Sequence, residues 1–210
     1  MARILAQALF LAAFVALVII GKVQFWIALF LLGVAVSMLW GRLYCGWACP
    51  MHAVMRGIAW LKRKLGIKGA RTPAFVKKPA VRIALVIVFV GSFAFLMVSG
   101  RQIPVLLILL GLSVLVTVVF NESMWHRYLC PQGAILSVTA RMSKNGLHID
   151  QSCIGCGACA RLCPAEAIVK SERYTVQTHE CIRCGKCEAA CTAKAIQKEV
   201  GPNDRKMLRV

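Results

Sequence analysis

The sequence predicts two parts of different class, an integral-membrane α-helical domain followed by a small α+β domain. Three observations in its 210 residues carry that prediction. Four stretches, Ile4 to Ile20, Val23 to Gly41, Ile83 to Gly100 and Ile103 to Phe120, are nearly uncharged, and each approaches the roughly 20 apolar residues a helix needs to cross a bilayer core. No Asp or Glu occurs before Glu122, so all eight acids lie in the last 89 residues. Eight of the eleven cysteines fall after residue 150, in two runs of one rhythm.

The first stretch competes with a signal-peptide reading. It lacks a small-x-small cleavage site and exceeds a usual apolar h-region, so it is read as a span. Gly21-Lys22 and Gly100-Arg101-Gln102 connect the first and second pairs only as tight hairpins, which makes four transmembrane helices in two hairpins over residues 1–145. Of the 26 Lys and Arg, ten lie between Arg42 and Arg82 and thirteen after Phe120, while each hairpin tip holds one, Lys22 or Arg101. The positive-inside rule then places both termini, the middle loop and the C-terminal domain on the cytoplasmic face of a bacterial or archaeal cytoplasmic membrane. A span region without acids excludes a mid-membrane carboxylate relay. The formal charge of +18 follows from inside retention and anionic headgroups, and no nucleic-acid motif accompanies it.

Past the second span comes Cys45-Gly46-Trp47-Ala48-Cys49-Pro50, and past the fourth His126-Arg127-Tyr128-Leu129-Cys130-Pro131. An offset of 81 residues superimposes Cys49-Pro50 on Cys130-Pro131, Cys45 on His126, and one hairpin on the other. The membrane domain therefore reads as a duplicated hairpin. Each proline suits the first turn of a new helix, and Met51 to Leu65 and Gln132 to Met142 are amphipathic enough to lie along the membrane surface. Packing about a pseudo-twofold axis would bring Cys45, Cys49, His126 and Cys130 together. Two readings stand for that set: small residues that pack at helix ends, or ligands of a third metal or iron–sulfur site. Glu122 and His126, four residues apart, share a face if a helix continues from the fourth span. With His52 they are the candidates for accepting protons at a membrane-surface redox site. The competing reading pairs Glu122 with Arg127 or has it cap a turn, and turns His52 to water.

The two runs are Cys153-x2-Cys156-x2-Cys159-x3-Cys163-Pro164 and Cys181-x2-Cys184-x2-Cys187-x3-Cys191. This rhythm holds [4Fe–4S] cubanes in two-cluster ferredoxins, where the fourth cysteine of each run ligates the other cluster. One cluster takes Cys153, Cys156, Cys159 and Cys191, and the other Cys181, Cys184, Cys187 and Cys163. Zinc sites space their ligand pairs more widely, and disulfides do not recur in this pattern. Gly157 and Gly185 open the backbone toward the cluster sulfurs, and Ile154 and Ile182 are placed to shield the cubanes. The runs define a two-cluster ferredoxin-like α+β domain over residues 146–200, with a tail at 201–210.

Gly41-Arg42-Leu43-Tyr44-Cys45-Gly46-Trp47-Ala48-Cys49-Pro50, Arg127-Tyr128-Leu129-Cys130-Pro131-Gln132-Gly133-Ala134, four spans and a two-cluster C-terminal domain together resemble the NapH/MauN-type membrane ferredoxins. The resemblance covers nearly the whole chain. It implies a quinol dehydrogenase component that passes electrons between the membrane quinone pool and a partner reductase, dehydrogenase or further ferredoxin. His126 departs from the pattern where a first cysteine is expected, and Met51-His52 stands where Gln132-Gly133 stands in the second copy. Two rival readings accompany the resemblance. One is a copper-handling assembly factor using the three thiols, His126, Met51, Met55 and Met124. The other is a redox sensor or membrane anchor for a ferredoxin.

Overall fold

The computed structural model describes residues 2–67, 69–99, 104–143 and 145–198. Helices α1 (Ala2–Ile19) and α2 (Trp26–Trp40) form the first hairpin, joined through a 3-10 turn at Val23–Phe25. Aromatic packing closes this hairpin. Trp26 meets Phe14 edge-on at 5.2 Å and donates from Nε1 to the Tyr44 hydroxyl at 2.8 Å. The Tyr44 ring lies so close to α2 that a Cβ on Gly33 would sit 2.9 Å from it. Helix α2 stops at Gly41, whose φ of 65° with ψ of −160° is backbone that a residue with a Cβ rarely adopts.

A short α3 (Leu43–Trp47) and the amphipathic α4 (Pro50–Lys64) follow. Helix α4 buries Met51, His52 and Met55 and exposes Trp60 and Leu61. Helices α5 (Pro79–Ser99) and α6 (Val105–Val119) make up the second apolar pair. Among the described residues three segments are long and apolar enough to cross a membrane, Ala2–Ile19, Val23–Trp40 and Pro79–Leu96, and Val105–Val119 is a shorter apolar helix. The expected hairpin tip at 100–102, residue 103 of the fourth stretch and the tail at 201–210 lie outside the described residues. Lys62 closes the end of α6, donating at 3.0 Å to the carbonyls of Thr117, Val118 and Phe120, which have no partner within the helix.

Two local expectations are corrected. No helix continues from α6 through Glu122 to His126: α6 ends at Val119, Phe120 is extended, and Met124–Leu129 winds as a π-helix. Helix α7 (Pro131–Ala140) is not an amphipathic helix with one exposed face either. It packs against α2 and α5 and buries seven of its ten residues. Its small residues Gly133, Ala134, Ser137 and Ala140 permit this close approach.

The C-terminal part holds two antiparallel pairs. Strand β1 (His148–Ile149) pairs with β4 (Ile196–Gln197), and β2 (Ile168–Lys170) with β3 (Tyr174–Val176). One-turn helices α8 (Ala158–Leu162) and α9 (Lys186–Ala190) pack together between them. The 28-residue offset of the cysteine runs is also written in the backbone. Positive φ recurs at Gly155 and Arg183, at Gly157 and Gly185, and at Glu166 and Lys194.

Candidate functional site

Each cysteine run turns through a left-handed glycine, Gly157 or Gly185, into its one-turn helix, then releases the fourth cysteine into extended backbone. The releases cross. One cavity is lined by Cys153, Cys156 and Cys159 together with Cys191 from the other run. On the other side Cys163 lies within electrostatic reach of Cys181, Cys184 and Cys187. Burial pushes all three thiols up and Cys163 adds to each, taking Cys181 to about 11 and Cys187 to about 12. Backbone N–H groups donate to the two crossing sulfurs, Ala167 to Cys163 at 3.3 Å and Ala195 to Cys191 at 3.4 Å. Two sets of four converging thiols with N–H donors to sulfur fit two cubanes, whose irons would hold these sulfurs as thiolates where burial alone keeps them protonated.

The two loops differ in their surroundings. Ile154 lines the cavity of its own cysteine set and is 71% exposed on its outer side, whereas Ile182 is 1% exposed. The reason is docking. The carbonyl of Ile182 sits against Gly46, where a Cβ would lie 2.0 Å from it, and the Gly46 carbonyl accepts from Gln7 of α1 at 2.7 Å. Glu180, next to Cys181, is held by Arg42 at 2.7 Å, Arg82 at 2.6 Å and the Ser137 hydroxyl at 3.0 Å. Arg42 is 0% exposed, and it also donates to the His126 carbonyl at 3.3 Å and faces Cys45 Sγ at 3.9 Å. Glu166 forms a second anchor, accepting from Ser123 and Tyr128 through its carboxylate and from Arg127 through its carbonyl.

The expected set of Cys45, Cys49, His126 and Cys130 divides in two. The three cysteines are buried together, and each thiol is raised by burial, Cys130 to about 11 with Cys45 as the next cause. Arg42 beside Cys45 opposes that rise, and the Gly133 N–H donates to Cys130 Sγ at 3.3 Å. His126 points elsewhere. Its Nε2 shares a hydrogen bond with His52 Nδ1 at 2.9 Å, because the wide π-turn rotates its ring toward α4. His52, Glu122 and His126 bring their ligand atoms within 4.8 Å of one another. Glu122 pairs with Lys186 at 2.7 Å, not with Arg127, and His52 is 1% exposed and does not face water. Burial first, then Lys186, Arg3 and Arg56, push His52 down to about 3, and burial and His52 lower His126. Both rings are therefore neutral near pH 7, able to relay a proton or ligate a metal. His52 Nε2 and Glu122 Oε2 are buried without a hydrogen-bond partner.

Sequence reasoning missed Arg42, Glu180, Lys186 and Glu166. Arg42 and Glu180 each flank a cysteine, but 138 residues separate them and nothing local pairs them.

Comparison with known proteins follows the same division. A family described as a 4Fe-4S binding domain matches residues 23–68 and 102–149, one half of the membrane domain each, and one described as a 4Fe-4S dicluster domain matches residues 152–195. The methylamine utilization ferredoxin-type protein MauN of Methylobacillus flagellatus is 33% identical, over 59% of this chain and 48% of its own length. The ferredoxin-type protein NapH of Haemophilus influenzae is 29% identical, over 69% of this chain and 56% of its own. This chain is similar to the ferredoxin-type proteins NapH and MauN. It is an iron–sulfur, electron-transport protein of a membrane. The regulatory protein NosR of Pseudomonas aeruginosa is also similar, 30% identical over 62% of this chain and 21% of NosR. The chain spans about half the length of the MauN and NapH relatives it matches. No solved structure matches it.

Proposed function

We propose that this chain exchanges electrons between the quinone pool and a partner redox protein, using two [4Fe–4S] clusters on the crossed cysteine sets. A ferredoxin module over residues 146–200 sits at the cytoplasmic end of a four-span domain over residues 1–145. The observation that carries the quinone reading is a cavity of about 420 Å³ bounded by α4, the end of α6, Glu122, Ser123 and Cys163-Pro164. Glu122 and Cys163, a carboxylate and a proposed cluster ligand, both line it, and its size suits a small ring.

Oxidising a quinol to a quinone releases two electrons and two protons. The clusters supply the one-electron acceptors. Glu122 Oε2, buried without a partner, takes the two protons in turn, one with each electron, and the neutral His126 and His52 rings carry each onward before the next is released. Lys186 holds the Glu122 carboxylate in place. Cys45, Cys49 and Cys130 form the third site, for iron–sulfur or another soft metal, with Arg42 offsetting thiolate charge.

The test is Glu122→Gln in purified protein. Reduction of the clusters by quinol slows about 10²-fold, the usual scale for a lost acid–base group, while dithionite still reduces them fully. Unchanged quinol kinetics in Glu122→Gln and His126→Gln would remove the site from this cavity. A second reading, copper handling, draws on buried Met51, Met55 and Met124 in the same region as the three thiols. Stoichiometric copper, lost in Cys49→Ser, would favour it.

A further inference from the structure

A second opening, of about 730 Å³, runs between α1, α4 and α9 on another side of the molecule. Its membrane-side wall is Ile4, Ala8 and Leu11 of the first span, with Ile4 half exposed. The other end is closed by Arg3, Arg56, Arg63 and Lys186, and no Asp or Glu lines it. Two of these cations are already engaged, Arg56 with the Gln7 side-chain oxygen and Lys186 with Glu122. Arg3 is not: its Nε is buried with no hydrogen-bond partner. Burial first and then Arg3 lower the proton affinity of Arg56, against the opposing charges of Cys184 and Glu122.

We propose that this groove binds one phospholipid with an anionic headgroup. The phosphate is held between Arg3 and Arg63, and an acyl chain lies along Ile4 and Leu11. Charge selects the headgroup, since Arg3, Arg56 and Arg63 line the groove without an acid while Lys186 is compensated by Glu122, which favours a net negative group and offers nothing to a choline or ethanolamine ammonium. Geometry selects a lipid over a free phosphate, because the groove runs onto the apolar face of a spanning helix. Trp60, 56% exposed on the rim, is the residue type that settles at headgroup depth. Gly185 and Lys186 also line the groove, so the lipid bridges α1 and α4 to the loop that carries Cys184 and Cys187.

The test uses the full chain, delipidated in detergent and reloaded with phosphatidylglycerol or phosphatidylcholine, with bound lipid read by native mass spectrometry. One phosphatidylglycerol is retained in preference to phosphatidylcholine. Arg3→Gln with Arg63→Gln weakens that retention about thirtyfold, the scale of two basic residues at an anionic surface. Arg71→Gln removes one charge from the same basic loop outside the groove and leaves retention unchanged. Unaltered visible absorbance of the clusters shows that the variants are folded, and if the double variant fails to load, Arg63→Gln alone gives about a fivefold loss. Equal retention of both lipids, retention unaffected by the groove variants, or an equal loss in Arg71→Gln overturns the proposal.

Discussion

The loop of Cys153, Cys156 and Cys159 and the loop of Cys181, Cys184 and Cys187 are near copies in spacing, in their left-handed turns and in the N–H donated to each crossing sulfur. Their surroundings are opposite. The second is pressed onto the membrane domain through Glu180, Ile182, Arg183 and Lys186, and the first meets solvent at Ile154 and Cys156. Ligand geometry is thus a local property repeated twice. Which loop faces the membrane is decided by residues beside the ligands, where one copy has Glu180 and the other Ser152. Cys163, the crossing ligand proposed for the buried loop's cluster, lines the proposed quinol cavity, and Lys186 of that loop holds its Glu122, while the exposed loop is free to meet a redox partner.

The strongest way to break this comparison is to remove the crossing ligands. Cys163→Ala abolishes the cluster of the docked loop and Cys191→Ala that of the exposed loop, each leaving the other. Iron analysis with EPR reads this, and loss of the cluster belonging to the variant's own run would mean the sets do not cross. Only Cys163→Ala also loosens docking, seen as the larger fall in apparent Tm.

Next in size is the anchor. Glu180→Ala strands Arg42 in a buried site and costs about 3–5 kcal/mol, whereas Ser152→Ala at the equivalent position stays within about 0.5 kcal/mol. Thermal unfolding in detergent compares them, and equal effects would sink the docking asymmetry. Smaller again is the apolar contact. Ile182→Ala costs about 2–4 kcal/mol and Ile154→Ala no more than about 0.5 kcal/mol. A comparable cost at Ile154 would mean that the first loop is covered in the working protein.

Much of this was legible in the sequence because it is periodic or local. The spacing of the runs announces eight converging thiols, and the apolar stretches announce spanning helices. The repeated Cys-Pro turns brought Cys45, Cys49 and Cys130 to one end of the membrane domain. His52, Glu122 and His126 were also named together, although the meeting depends on a π-turn that no residue pattern specified. What stayed hidden depends on pairs distant in the chain. Arg42 and Glu180 are 138 residues apart. The burial of α7 follows from the partners that fill its small-residue face, and the unequal fates of Ile154 and Ile182 follow from docking, to which identical local motifs are blind.

The burial of Arg42 also has a consequence in time. At translation rates of about 5–20 residues per second, its carboxylate partner, 138 residues later, emerges roughly 7–28 s behind it. Through that interval the guanidinium holds water, and the Cys45–Cys49 turn lacks the Ile182 carbonyl that later lies against Gly46. A thiol reagent therefore meets open cysteines on the nascent chain and buried ones in the finished fold. Pulse labelling with a maleimide should modify Cys45 and Cys49 before the module is made and not afterwards; labelling that persists in the mature protein would show that the window never shuts.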